Sequence, residues 1–308
     1  MGKTSKLYEQ LEKRFVKWAR YRSDIRAAVV VGSQSRLDHP ADEWADLDIM
    51  VVTTDPQHYI STTDWIEKIG NPILTYLEAP LGEDDMERRV LFEGMLGVDF
   101  AIIPYKNVQQ LFQNVQQLLK DKISPKNLEF ELQLFNRGIR VLLDKDKIIT
   151  QLQKQISSIE TSHTYQPTES EFLEVVSDFL HHAVWTAKHL QRGELWWTVT
   201  CLDCHMQRLI LRMIEWHAFA LHGSSYDTWF RGRFLEEWAH PRALKGLQSV
   251  FAHYNKDDIK HALLEAIAMF GWMAVEIAEK LSYAYPAKAE KQVIEWIRKC
   301  FSERSVEQ

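Results

Sequence analysis

The chain has 308 residues, 45% of them hydrophobic, and sets 43 aspartates and glutamates against 37 lysines and arginines for a formal net charge of −6. A chain of that size buries one or two cores unaided, and its length favours two domains. The acidic balance excludes general nucleic-acid affinity, which needs basic patches to displace phosphate counterions, and it suits small cationic molecules better.

Leu7, Leu11, Phe15 and Trp18 recur at helical spacing and predict an amphipathic opening helix over residues 6–22. The start, MGKTSKLYEQLEKRF, is charged and lacks the continuous apolar core of a signal peptide, and MGKTSK fits the myristoylation pattern only superficially. Residues 27–31 form a short β-branched run ended by Gly32, and residues 47–53 form another. Residues 73–78, 88–93 and 97–104 continue the strand pattern between Gly- and Asp-containing breaks, so a mixed sheet with flanking helices is expected.

From about residue 105 the chain turns to Leu-, Gln-, Glu- and Lys-rich stretches of helical period, interrupted by VLLDKD at 141–146. Residues 162–170, with Pro167 and several hydroxyls, mark a linker, and Thr168 with Glu171 fits a capping box that opens the next helix. The expected fold class is therefore α+β, a mixed sheet with flanking helices over 1–160 and an all-helical domain over 161–308. Even the apolar run LLEAIAMFGWMAVEIAEKL is interrupted by Glu265 and Glu276, short of the ~18 to 20 uninterrupted residues of a membrane span. A cytoplasmic protein without membrane contact is expected, and its polar end, CFSERSVEQ, is expected to fray.

Two carboxylates at the mouth of an apolar strand demand an explanation, because an unpaired charge in apolar surroundings is costly. Asp46 and Asp48 lie two residues apart and project from one strand face, roughly 6.6 Å apart along the chain. They repel unless a cation sits with them, and hard oxygen ligands at that spacing suit Mg²⁺. A pair of such ions about 3.5 to 4 Å apart is the usual clamp for phosphoryl chemistry. Asp99, interrupting the strand GVDFAIIP, supplies a third acid. Gly32 and Ser33 end the first strand with a turn whose N–H groups and hydroxyl suit phosphate oxygens, with Arg36 nearby as a charged donor. Asp-Leu-Asp alone is common at strand ends, where Asp caps turns. Joined to a Gly-Ser turn and a third acid, it points to a phosphate cradle beside a metal cage.

In the helical half, Glu171, Glu174 and Asp178 fall at i, i+3 and i+7 and line one face. Such a stripe suits a guanidinium or ammonium ligand, although a charge run on a helix is ordinarily a solvated face. CLDCH, residues 201–205, matches the haem-attachment and redox spacings. Haem attachment follows export, a redox motif needs a neighbouring βαβ pattern, and zinc needs a fourth ligand with sensible spacing, which is not evident in the sequence. Residues 195–222 read as one helix with reduced, packed thiols. His181 and His182, beside Asp178, are expected at the surface or hydrogen-bonded rather than as ligands, and Trp185, Trp196, Trp197 and Trp216 mostly in the core.

GSQSR and DLDIMVV, with the later acid, resemble the nucleotidyltransferase superfamily. More specifically, the chain resembles the aminoglycoside 6-adenylyltransferase (streptomycin adenylyltransferase) family in LFEGMLGVDFAIIP, FNRGIRVLLDKD, EFLEVVSDFLHHAVWTAKHLQRGEL, LILRMIEWHA and LSYAYP. The resemblance implies a nucleotidyltransferase-type sheet followed by a helical substrate domain, and transfer of AMP from ATP to a hydroxyl of an aminocyclitol antibiotic. It also implies that Asp46 and Asp48 hold Mg²⁺, that Ser33 and Arg36 position the β- and γ-phosphates, and that Asp99 is either a ligand of a second Mg²⁺ or the base. Asp178 matches an acid of the family pattern and Glu194 is a second acceptor-binding candidate, while Lys188 and Arg233 match basic positions that reach the triphosphate. Members acting on streptomycin have Trp-Arg-Asp-Glu where this chain has Gln191, Arg192, Gly193 and Glu194, which removes a charge and a stacking surface. The alternatives are AMP transfer to a protein hydroxyl, against which the large helical half argues, and a non-catalytic nucleotide-binding module, against which the intact acids argue.

Overall fold

Side chains that alternate along short β-branched runs belong in a sheet covered on both faces, and longer runs of period 3.6 belong in helices packed on one another. The computed structural model, which describes residues 3–36, 38–78, 86–121, 128–159 and 166–302, has both. The chain forms two compact units, Met1–Thr161 and Ser162–Gln308.

In the first unit, α1 (Lys3–Arg20) leads to β1 (Ile25–Val31), β2 (Leu47–Thr53), α2 (Pro56–Ser61), β3 (Pro72–Glu78), β4 (Met86–Phe92) and β5 (Leu96–Pro104). Then follow α3 (Tyr105–Asp121), α4 (Glu129–Arg137), β6 (Arg140–Asp144) and α5 (Ile148–Ile156). The six strands order as β3-β4-β5-β2-β1-β6, with β2 parallel to β5 and every other pair antiparallel. Period two sorts the strand residues between two cores. Ala28, Val30, Ile49, Val51, Val98 and Phe100 pack with Leu11 and Phe15 of α1. Ala27, Val29 and Val52 face the other way, against Val108 and Val115 of α3, Leu132 of α4 and Leu152 of α5.

VLLDKD, expected only as an interruption of the helical stretches after residue 105, supplies a strand. Its first residues belong to β6, the sheet edge, paired antiparallel with β1. Arg140 fastens that edge to α1 through a bidentate pair with Glu12, at 2.8 and 2.6 Å. Five residues are too few to show a period, and the backbone partner on β1 decides the conformation.

The second unit holds α6 (Glu169–Gln191), α7 (Leu195–Thr200), a π-helical segment (Cys201–Met206), α8 (Gln207–His222), α9 (Leu235–Trp238), α10 (Pro241–Val250), α11 (Lys256–Leu281) and α12 (Ala287–Ser302). The linker expected over 162–170 lies partly outside the described residues, as does the polar end. α6 opens on the expected capping box: the Glu171 N–H donates to Thr168 Oγ1 at 3.2 Å and the Thr168 N–H to Glu171 Oε2 at 2.8 Å. Residues 195–222 are helical, but a π turn interrupts them.

α11 is long and apolar enough to cross a membrane, yet most of its apolar stretch is buried within the fold. Its Phe270 stacks flat on Phe179 of α6, with ring centroids 3.8 Å apart. Its Glu276 is not left unpaired, because the carboxylate meets His217 Nε2 at 2.7 Å and accepts from Trp272 Nε1 at 2.5 Å. Of that pair His217 is the buried member and needs the partner, whereas Glu276 keeps 40% of its side chain exposed.

Candidate active site

The acids of the first unit owe their positions to strand register. β2 and β5 run parallel, with Asp48 opposite Asp99 and Leu47 opposite Val98. Neighbouring strands lie about 4.8 Å apart, so Asp48 and Asp99 are side by side. Both share the strand face of Val52, because alternate residues of β2 and β5 enter the other core. Asp46 precedes β2 and is exposed, while Asp48 and Asp99 are half-buried. Two glycines give the carboxylates room. A Cβ on Gly97 would stand 2.9 Å from Asp46 Cγ, and one on Gly32 would strike Asp48 Oδ2.

Burial pushes the Asp99 carboxyl up to about 6, and Asp48, Glu87 and Asp46 push the same way against the pull of Arg89. Arg89 faces Asp99 across β4 and β5 and reaches it at 3.2 Å, but also pairs with Glu78 and Glu87. One guanidinium shared among several carboxylates leaves the site in negative surplus. Tyr8 of α1, hydrogen-bonded to the Gly97 backbone, is pushed up to about 12, by burial first and then by Asp46, Asp48 and Asp99. Its phenol therefore stays protonated beside the acids. Surplus hard oxygens that repel one another are the donor set a small divalent cation fits.

Gly32, Ser33 and Gln34 form a single 3₁₀ turn directly after β1. Val31 pairs with Asp48, so the turn starts beside the acids. Gly32 has φ +67° and faces the Asp48 carboxylate, two independent reasons for glycine. Its carbonyl accepts from the Ser35 and Arg36 N–H groups, and the Ser35 hydroxyl donates to Gly138 O at 2.9 Å. Gly138, with φ +113°, ends α4 with its Cα so close that a Cβ would meet Ser35 O at 2.8 Å. Arg36 donates to His39 O at 3.3 Å.

The remaining candidates lie in the second unit. Asp178, His182, Trp185 and His189 follow one face of α6 at i, i+4, i+7 and i+11. Asp178 meets His182 Nδ1 at 2.6 Å and His205 Nε2 at 3.0 Å. Burial works to raise its carboxyl, but the two imidazoles outweigh that and hold it below the usual range. Trp185 lies 3.8 Å from the His189 ring and 5.7 Å from Trp197. Glu194 pairs with His189 and, at 2.8 Å, with Arg192; the His189 contact holds its carboxyl low. The expected three-acid stripe is not uniform, because Glu171 closes the capping box while Glu174 is exposed. Lys188 is exposed over the Trp296 ring at 5.7 Å, and Arg233 is exposed.

Trp216 is buried as expected, whereas Trp196 and Trp197 are 72% and 55% exposed, against the core expectation. Cys201, half-buried, accepts from the Thr186 hydroxyl at 3.4 Å, but Cys204 is exposed rather than packed. Tyr8, Ser35, Arg89 and Gly138 complete the surroundings of the acids and escape the sequence reading. Gly138 alone leaves a trace, as a glycine ending a helix; its contact with Ser35 spans 103 residues of chain.

A mixed sheet carrying a Gly-Ser turn, an acidic pair and a third acid in register is the framework of a nucleotidyltransferase, an enzyme class. A model of the streptomycin adenylyltransferase family matches residues 6–300, and the chain belongs to that family. It is 24% identical to an aminoglycoside 6-adenylyltransferase of Bacillus subtilis (strain 168), over 85% of this chain and 87% of the relative. It is 22% identical to one of Campylobacter jejuni, over 87% and 86% of the two chains. The crystal structure of an aminoglycoside 6-adenyltransferase from Bacillus subtilis aligns over 96% of this chain and 98% of its own, with 20% identity and a TM-score of 0.44.

Proposed function

We propose that the protein transfers AMP from ATP to a hydroxyl of an aminoglycoside-type aminocyclitol, with Mg²⁺ held by Asp46, Asp48 and Asp99. The observation that carries this reading is the register pairing of Asp48 with Asp99 on parallel strands, beside the Gly32-Ser33 turn. Membership of the streptomycin adenylyltransferase family and the names of the relatives support the acceptor class.

Bound Mg²⁺, in two ions, would neutralise the triphosphate and the charge that develops as pyrophosphate leaves. The chain's own groups do the rest. Ser33 and the turn orient the β- and γ-phosphates, and Arg36 adds positive charge. A carboxyl near 6 suits Asp99 either to take the proton of the attacking hydroxyl or, once ionised, to hold the second cation. Tyr8 walls the acids on the α1 side as a neutral phenol.

For the acceptor, Asp178 on α6 and Glu194 at the start of α7 flank an imidazole and indole surface. Asp178 and Glu194 offer charge to ammonium or guanidinium groups, and Trp185 and Trp197 offer ring faces to a sugar. A groove of about 430 Å³ runs along the same helix, lined by His181, Trp185, Lys188, Pro286 and Val293 among others. Gly193 stands where relatives acting on streptomycin carry an acid, so a different aminocyclitol is the better substrate in this reading.

The test is incubation with ATP, Mg²⁺ and a panel of aminoglycosides while pyrophosphate is measured. Release with at least one aminoglycoside, lost without Mg²⁺, is the expected result. No release with any of the panel would overturn the acceptor assignment.

A further inference from the structure

The π turn between α7 and α8 swings a histidine against α6. Asp178 and His182 stand four apart on one face of α6, and His205 comes from the π segment, 27 residues along the chain from Asp178. Asp178 Oδ1 is 2.6 Å from His182 Nδ1 and 3.0 Å from His205 Nε2, and the two imidazole rings lie 4.1 Å apart. The three ligand atoms all lie within 4.8 Å of one another.

From this geometry we propose a second metal site, a two-histidine, one-carboxylate site for a borderline divalent transition ion, with Zn²⁺ the best fit. Bonds of about 2.0 to 2.1 Å in tetrahedral geometry hold ligand atoms roughly 3.4 Å apart. The two carboxylate–imidazole separations, 2.6 and 3.0 Å, are shorter than that, and His182 Nδ1 also lies 3.0 Å from the Asp178 backbone carbonyl, so side-chain rotations must open the pair and turn that nitrogen to the ion. All three side chains are 30–42% exposed, which leaves a fourth position for water. Imidazole with carboxylate selects zinc-like ions over Mg²⁺, which takes oxygen almost alone. π turns are rare and recur at functional sites, and here the turn delivers the third ligand.

The missing partner of the CLDCH motif is thus supplied across the fold, and the thiols of Cys201 and Cys204 are not ligands. The site is chemically separate from Asp46, Asp48 and Asp99 and does not rest on the proposed transfer reaction. Where that reaction holds, Asp178 faces the acceptor when the site is empty, and a bound ion would compete with the acceptor for it.

The test is calorimetric titration of the intact chain with Zn²⁺ alone, in an Asp48→Asn background that removes binding at the strand acids. One saturable equivalent is expected. His205→Ala and His182→Ala are each expected to weaken it at least tenfold, with helix content unchanged by circular dichroism. His253→Ala, at an exposed histidine paired with Asp258, is expected to change nothing. Co²⁺ in place of Zn²⁺ should give d–d bands without thiolate charge transfer. Absence of a saturable equivalent, wild-type affinity in both His→Ala variants, or loss of binding in Cys201→Ser or Cys204→Ser would each overturn the proposal.

Discussion

Asp48 and Asp99 are costly to fold and indispensable to the proposed chemistry, and the two properties have one cause. Placed side by side by register, they repel each other until a cation arrives. Asp48→Asn is expected to lower kcat by several orders of magnitude while leaving the metal-free melting temperature unchanged or higher, because the substitution removes repulsion along with a ligand. A near wild-type rate in that variant would sink the metal-cage reading.

Asp99 makes the same argument measurable by pH. An unfolded aspartate titrates near ~3.9, whereas burial and its neighbours carry this one to about 6 in the fold. The folded state therefore binds the proton more tightly, and the stability Asp99 contributes is present below about 4 and lost as the pH rises through about 6. Two units correspond to at most about 3 kcal/mol. Asp99→Asn in metal-free buffer is expected to raise the melting temperature at pH 7.5 and hardly at pH 4. For the wild type, the thermal shift produced by Mg²⁺ should fade as the pH falls below 6, since the proton competes for the same carboxylate. A shift of equal size at pH 5 and pH 8 would show that Asp99 is not part of the cation site.

At the scale of elements, the sheet and the helical unit are closed by different means. The sheet is fixed by register, with the β6 edge fastened to α1 through Arg140 and Glu12. The helical unit is fixed by side-chain packing, and the Phe179–Phe270 stack joins α6 to α11 with both rings buried. Phe270→Ala is expected to cost about 3 to 5 kcal/mol, because the cavity left between two helices cannot fully collapse. Urea denaturation followed by circular dichroism would measure it, and a loss under about 1 kcal/mol would mean that α6 and α11 repack freely.

At the scale of the whole molecule, each unit carries its own buried core, which is the condition for unfolding on its own. Scanning calorimetry is expected to resolve two transitions. Mg²⁺ should move the one that belongs to the strand acids, and Phe270→Ala the other. A single transition displaced equally by both treatments would contradict independent units.

Period and punctuation, read from residues alone, already determine the strands that carry the acids, the capping box at Thr168, the long helices and the α+β class. Each of these follows from the local backbone period or from a turn that a nearby side chain satisfies. Asp46, Asp48 and Asp99 stand out for the same kind of reason, as charges where the local pattern requires apolar residues. Only the tertiary structure decided what meets across the chain. It set Asp48 opposite Asp99, Arg89 against Asp99, Gly138 against Ser35 and His205 against Asp178. It also made a strand of residues too few to show a period and buried an α11 apolar enough for a membrane. Those outcomes depend on register and packing between residues far apart in sequence, and no local period records which distant residue a side chain will face.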